Sequence, residues 1–221
     1  MSSFIHDLIV FLPQILTGLK NTVILMGIIS VTGFLGGIAL FYLTVNGGKI
    51  CRKAAEGYIS FFVGTPLLVH LFLMYYGLPQ LGIHISPLMV SAIGFTLNVS
   101  AYNSRYLMTA YNGLDRTEFE AASAQGFTPS EIFRSITLPQ VLYLSVPSLT
   151  NQIIMNLKET SVAFLIQYQD FFAQVQELAS TNFEFFKAYT MAGLVYLLLV
   201  SVIVAAARRL EKRIALPGFQ A

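Results

Sequence analysis

The sequence predicts an all-α, polytopic membrane protein with five transmembrane helices and one helical elbow on its cytoplasmic side, and three observations predict it. Of its 221 residues, 55% are hydrophobic and only 11% are charged, whereas a soluble domain carries about a quarter charged residues. The apolar residues gather into runs of about 20, the length needed to cross a hydrocarbon core of roughly 30 Å. The longest polar interval, 117–140, reads instead as two short capped helices with a bend between them. Residues 1–221 are expected to form a single transmembrane domain, with no internal repeat or low-complexity segment. The net charge of +2 says little about partners, and the single Cys51 excludes an internal disulfide framework. Residues 1–10 lack a basic n-region, so no cleavable signal peptide is expected. A nucleic-acid role is excluded by the absence of a basic patch on a polar face.

The elements follow in order. Across 1–21, Phe4, Leu8, Phe11, Ile15 and their apolar neighbours repeat at helical spacing among Asp7, Gln14 and Lys20. This segment reads as an amphipathic helix that lies at the membrane surface or leads into the first span. Residues 23–43 are uncharged and long enough to span; Gly27, Gly33, Gly36 and Gly37 leave room there for close helix packing. A polar loop with Lys49, Arg52 and Lys53 leads to a second span over 58–76, in which Pro66 is tolerated. The third span covers about 88–111 and contains Asn98, Asn103 and Arg105. The fourth covers about 138–166, interrupted by Pro139 and Pro147, and carries Gln152, Asn156, Lys158 and Glu159. A polar, aromatic stretch over 167–187 precedes the fifth span, about 189–207, which a basic run at 208–213 closes.

Orientation follows from the basic residues. Lys49, Arg52, Lys53, Arg116, Arg134, Arg208, Arg209, Lys212 and Arg213 fall on one side, against Lys187 and three acids on the other. The positive-inside rule puts the elbow and the C-terminus in the cytoplasm and the N-terminus outside.

The elbow is defined by local chemistry. Thr117 with Glu120, and Thr128-Pro129-Ser130-Glu131, each match a capping box. Gly126 lies where the first short helix should stop, because glycine takes the left-handed conformation cheaply. Ala121, Ala122 and Ala124 are small enough for another protein surface to approach. Glu120-Ala121-Ala122, Gly126 and Leu138-Pro139 together resemble the EAA motif of ABC-transporter permeases. Gly64-Thr65-Pro66-Leu67-Leu68-Val69 and Tyr75-Tyr76-Gly77-Leu78-Pro79 are similar to the second helix of the polar amino-acid permeases, and Lys158-Glu159-Thr160-Ser161 to their fourth. The resemblance implies a permease subunit of a binding-protein-dependent ABC importer in a bacterial inner membrane. It implies that Glu120, Ala121, Ala122 and Gly126 form a cytoplasmic coupling helix seated in a groove of the ATP-binding subunit. It also implies a second permease, identical or sister, a pair of ATPase subunits, and an extracytoplasmic solute-binding protein.

The chain itself offers no means of using ATP. It lacks a phosphate loop, since Gly47-Gly48-Lys49-Ile50 has neither the spacing nor the hydroxyl. ATP and Mg are therefore expected on the partner subunits, with no cofactor, metal or catalytic residue here. His6, His70 and His84 are scattered and read as packing or interface residues. Charges inside spans each cost at least about 2.5–3.5 kcal/mol at a helix centre and so demand a reason. Arg105 and Lys158-Glu159 either pair or snorkel, or else they line a polar cavity with Asn98, Asn103, Gln152 and Asn156. Asn98 and Arg105 lie two helical turns apart; Gln152, Asn156 and Glu159 stand at i, i+4 and i+7. That spacing suits a lined pathway for a solute with a carboxylate and an ammonium, and equally suits a buried hydrogen-bond seam. Where polar amino-acid permeases generally carry an acidic residue after Ala101-Tyr102, this chain has Arg105, which points to a different solute or to a partner that holds the site. A stand-alone secondary transporter or channel is the alternative; five spans without a repeat argue against it.

Overall fold

The structure is a computed structural model that describes residues 2–214, with side chains described over 4–209. Every regular element among the described residues is helical. Helix α1 runs without interruption from Ser2 to Asn46, so the amphipathic segment and the first expected span are one rod. Pro13 sits inside it.

The second expected span is not continuous. Helix α2 (Lys49–Gly64) ends at Gly64, and α3 (Leu67–Phe72) restarts at a 99° bend. Thr65 and Pro66 between them are extended, because the proline ring disfavours helical geometry in the residue before it. Pro66 therefore breaks this span rather than being absorbed by it. The corner is filled by a hydrogen bond of 2.7 Å between the Thr65 hydroxyl and His70 Nε2. The His70 ring packs on Phe61 and Phe62. The chain continues through a π-helical turn (Leu73–Gly77) and a 3-10 turn (Leu78–Leu81).

Helix α4 (Pro87–Asn112) packs along α1. Three glycines make that approach possible. A Cβ built on Gly33 would meet Val99 Cγ1 at 2.5 Å, one on Gly37 would meet Asn103 Cβ at 2.6 Å, and one on Gly36 would collide with the Ser100 hydroxyl. Gly27 has nothing within 4 Å, so it plays no part in the packing predicted for it. The short helices α5 (Arg116–Ala124) and α6 (Pro129–Ile132) form the elbow, and a π-helical turn (Phe133–Thr137) leads to α7 (Leu138–Glu159). Neither proline interrupts α7: Pro139 opens its first turn and Pro147 lies inside it. A 3-10 segment (Thr160–Ile166) follows, then α8 (Phe171–Asn182) within the polar, aromatic stretch, and α9 (Phe185–Ile214).

Three apolar clusters hold the bundle along α1. Ile15 packs with Phe171, Val175 and Leu178 of α8 and Ala188 and Ala192 of α9. Leu25 and Ile29 meet Leu71, Val90, Phe95 and Ile166 at mid-height. Phe41 meets Leu107, Phe133 and Val141 next to the elbow. By length and apolarity alone, two helices among the described residues can cross a bilayer, Phe4–Asn46 and Phe185–Arg209; the bent pair Lys49–Gly64 and Leu67–Leu81 makes a third if it is one broken span. The polar side chains of α4 and α7 keep those helices below that standard. In the closing basic run, the side chains of Lys212 and Arg213 lie outside the described residues.

Candidate functional site

The elbow is built by three end-caps. Asp115, not Thr117, caps α5: its Oδ1 accepts from the Thr117 N–H at 2.9 Å. Thr117 is already helical, and Glu120 lies too deep in the helix to reach a cap, so the first predicted capping box does not form. The second does. The Thr128 hydroxyl accepts from the Glu131 N–H at 3.4 Å, and the Glu131 carboxylate accepts from the Thr128 N–H at 2.8 Å. These backbone hydrogen bonds hold the Asp115 and Glu131 carboxyls below the usual carboxylate range. Gly126 has φ of +88°. The Phe127 N–H donates to Ala122 O at 3.2 Å and the Gly126 N–H to Ser123 O at 3.0 Å, which is a Schellman closure.

The caps fix which side chains the elbow presents. Ala122 is buried against the protein, while Glu120, Ala121 and Gly126 are exposed. The elbow is fastened to the bundle by Gln140 Nε2, which donates to Glu118 Oε2 at 2.6 Å, and by Phe119 against Tyr111. Phe127, 45% exposed, adds an apolar knob beside Gly126. It was legible only as the residue after a predicted helix stop.

The polar residues of the spans do not all converge. Asn103, Gln152 and Asn156 line one cavity of about 700 Å³ between α1, α4 and α7, whose wall is otherwise mostly apolar. Gln152 Nε2 donates to Asn156 Oδ1 at 2.7 Å, and the Tyr106 hydroxyl donates to Gln152 Oε1 at 3.2 Å. Asn103 Oδ1 is buried without a hydrogen-bond partner. Asn98 is turned elsewhere: its Nδ2 donates to Phe62 O at 3.0 Å and so ties α4 to α2.

Arg105 is exposed, Glu159 is partly buried, and neither forms an ion pair with a described residue. Lys158 lies apart, in a groove with Phe172, Tyr189 and Tyr196. The pairing considered for these charges is therefore absent among the described residues. Tyr106, which links α4 to α7, was not singled out in the sequence. Its signal was the stripe Asn98, Tyr102, Arg105, Tyr106 on one side of α4.

Comparison with known proteins gives a consistent result. Residues 33–216 match the family described as "Binding-protein-dependent transport system inner membrane component". The "Probable amino-acid ABC transporter permease protein PatM" of Vibrio harveyi is 39% identical over 150 residues, 66% of this chain and 67% of that protein. The "Probable amino-acid permease protein YxeN" of Bacillus subtilis (strain 168) is 35% identical over 193 residues, 86% of each. A solved structure described as "Crystal structure of an amino acid ABC transporter with histidines" superposes with a TM-score of 0.85 at 27% identity, covering 93% of this chain and 96% of that one. The methionine transporter MetNI in an inward-facing form shares the fold, with a TM-score of 0.75 at 17% identity over 93% of this chain and 98% of that one.

Proposed function

The chain belongs to the family of binding-protein-dependent transport system inner membrane components, and from that premise we propose how it works as the permease subunit of an ABC importer for amino acids. Five spans cross the membrane: α1, the broken pair α2–α3, α4, α7 and α9. At 1.5 Å per residue, α4 and α7 are about 39 and 33 Å long, enough for a core of roughly 30 Å. The basic residues at the start of α2, in the elbow and at the end of α9 support a cytoplasmic side for those parts and an N-terminus outside. Residues 2–214 form one domain.

The elbow is the coupling region, and the observation that carries this reading is how it is capped and what it exposes. Asp115, the Thr128–Glu131 box and left-handed Gly126 hold a short helix whose Glu120 and Ala121 face outward. A separate pair of ATPase subunits binds ATP and Mg and presses on this surface, so the chain is not itself an enzyme. A second permease completes the path, and a solute-binding protein delivers the amino acid from outside. The path runs past the polar residues of α4 and α7: Asn103, Gln152 and Asn156 at the cavity, with Asn98, Arg105, Lys158 and Glu159 further along the same two helices. A stand-alone secondary transporter is disfavoured, because family membership implies an external ATPase.

The test uses proteoliposomes holding the complete importer. Gly126→Pro forces φ to about −65° where the turn needs a positive value, and Glu120→Arg reverses the exposed charge. Each variant is expected to stay in the membrane and lose at least 10-fold in ATP-driven uptake while ATP hydrolysis continues. Normal uptake by both would refute the coupling role.

A further inference from the structure

We propose that the groove between the end of α7, α8 and α9 binds an anionic phospholipid with hydroxyls on its headgroup, of the phosphatidylglycerol type: Lys158 holds the phosphate, and an acyl chain follows α9 inward. The inference goes beyond the proposed function and holds whichever solute the importer carries.

The groove has a volume of about 560 Å³ and holds Lys158, Tyr196 and Gly193. Two observations set its depth. The Tyr196 ring packs on Phe171 at 5.5 Å, and the Phe171 N–H donates to Thr22 Oγ1 at 3.0 Å, just before the apolar run 23–43 begins. Lys158 lies about 30 Å along α7 from Leu138 at 1.5 Å per residue, the thickness of a hydrocarbon core. Lys158 and Tyr196 therefore stand at the edge of that core, on the side away from the elbow. Helix α9 passes from one medium to the other here. Its Ala188 and Ala192 pack on Ile15, farther out along α1 than Thr22. Tyr189 thus lies outward of Tyr196, and Leu197 and Val200 of the same groove lie inward of it.

The chemistry of the groove changes with that depth. Lys158 is exposed and has no carboxylate partner among the described residues. At the core's edge an ammonium reaches for the headgroup layer, where phosphate is the anion. The hydroxyls nearby narrow the choice of headgroup. Ser161 Oγ donates to Lys158 O at 2.7 Å, and the Tyr189 hydroxyl donates to Gln176 Oε1, so both meet a ligand as acceptors. A glycerol headgroup can donate to them. A choline headgroup has no donor, and its own positive charge would repel Lys158. Farther in, Gly193 leaves the groove open, since a Cβ built there would meet nothing within 4 Å. Leu194, Leu197 and Leu198 are exposed on the adjoining face of α9, so a chain in the groove continues along an apolar surface. A small polar solute has no group to cover that inward end, whereas an acyl chain does.

The experiment titrates the purified importer, stripped of lipid in detergent, with phosphatidylglycerol and with phosphatidylcholine, and counts bound lipid by native mass spectrometry. Phosphatidylglycerol is expected to bind about 10-fold more tightly, the factor that a single charge-assisted contact supplies. Lys158→Gln is expected to abolish that preference and Lys158→Arg to keep it. Gly193→Leu is expected to weaken the binding of both lipids by filling the groove. Equal affinities in the native protein overturn the inference, as does a preference that survives in Lys158→Gln. Displacement of the lipid by inorganic phosphate also overturns it, by showing a site for free anions. So does separation of the two permeases in Lys158→Gln and Gly193→Leu with lipid binding intact, which would make the groove a contact between permease chains.

Discussion

At the scale of single residues, Asp170 shows how a carboxylate can hold a structure together at a cost. Its Oδ1 caps α8 by accepting from the Ala173 N–H at 2.8 Å, while Oδ2 is buried without a partner. Gly18 makes the site possible: a Cβ there would meet Asp170 O at 2.6 Å. Burial pushes the carboxyl up to about 6 from 3.8. A raised carboxyl binds its proton more tightly when folded, so its contribution is greatest below about pH 4 and is lost as pH rises through about 6. Asparagine caps helices as well as aspartate does and carries no charge. Asp170→Asn is therefore expected to stabilise the purified protein at pH 7–8 by on the order of 1–3 kcal/mol. The gain should vanish near pH 4; thermal unfolding across that range reads it. An equal gain at every pH would show that charge burial is not the cause.

At the scale of elements, the α1–α4 seam depends on glycines that the sequence marked only as a group. A Cβ on Gly37 would meet Asn103 Cβ at 2.6 Å and the Ser104 N at 3.3 Å, whereas one on Gly27 would meet nothing within 4 Å. Gly37→Ala is expected to cost about 1–3 kcal/mol by overpacking. Gly27→Ala should be neutral or stabilising by up to about 1 kcal/mol, since alanine is the better helix former. Melting temperatures of the two variants in one detergent check this, and equal shifts would contradict the packing account. The same contrast explains what was legible in the elbow. Gly126 and the Thr128–Glu131 box were readable because their chemistry is complete within five residues. Asp115 was missed because Thr117 with Glu120 has the same spacing, and only the position of the first helical turn decides between them. At the corner between α2 and α3, Pro66 marked an irregularity, but its 99° size depends on Thr65, His70 and the rings packed around them.

At the scale of the whole molecule, the topology has a built-in probe. Cys51 is the chain's single cysteine, it is exposed, and it sits among Lys49, Arg52 and Lys53. A maleimide that cannot cross membranes is expected to label it in inside-out vesicles and to spare it in right-side-out ones; the opposite pattern would invert the orientation. Composition, the apolar runs and the basic loops determined that the chain is a helical membrane protein, and the elbow motif pointed to its family, because hydropathy, charge placement and capping are properties of neighbouring residues. Tertiary structure alone decided the rest. It carried the first segment into one 45-residue helix and separated Lys158 from the polar seam. It also turned Asn98 toward Phe62 and tied Tyr106 of α4 to Gln152 of α7. Periodicity tells which residues share a helix face, but what that face meets depends on helices brought together from distant parts of the chain, and no local pattern encodes that meeting.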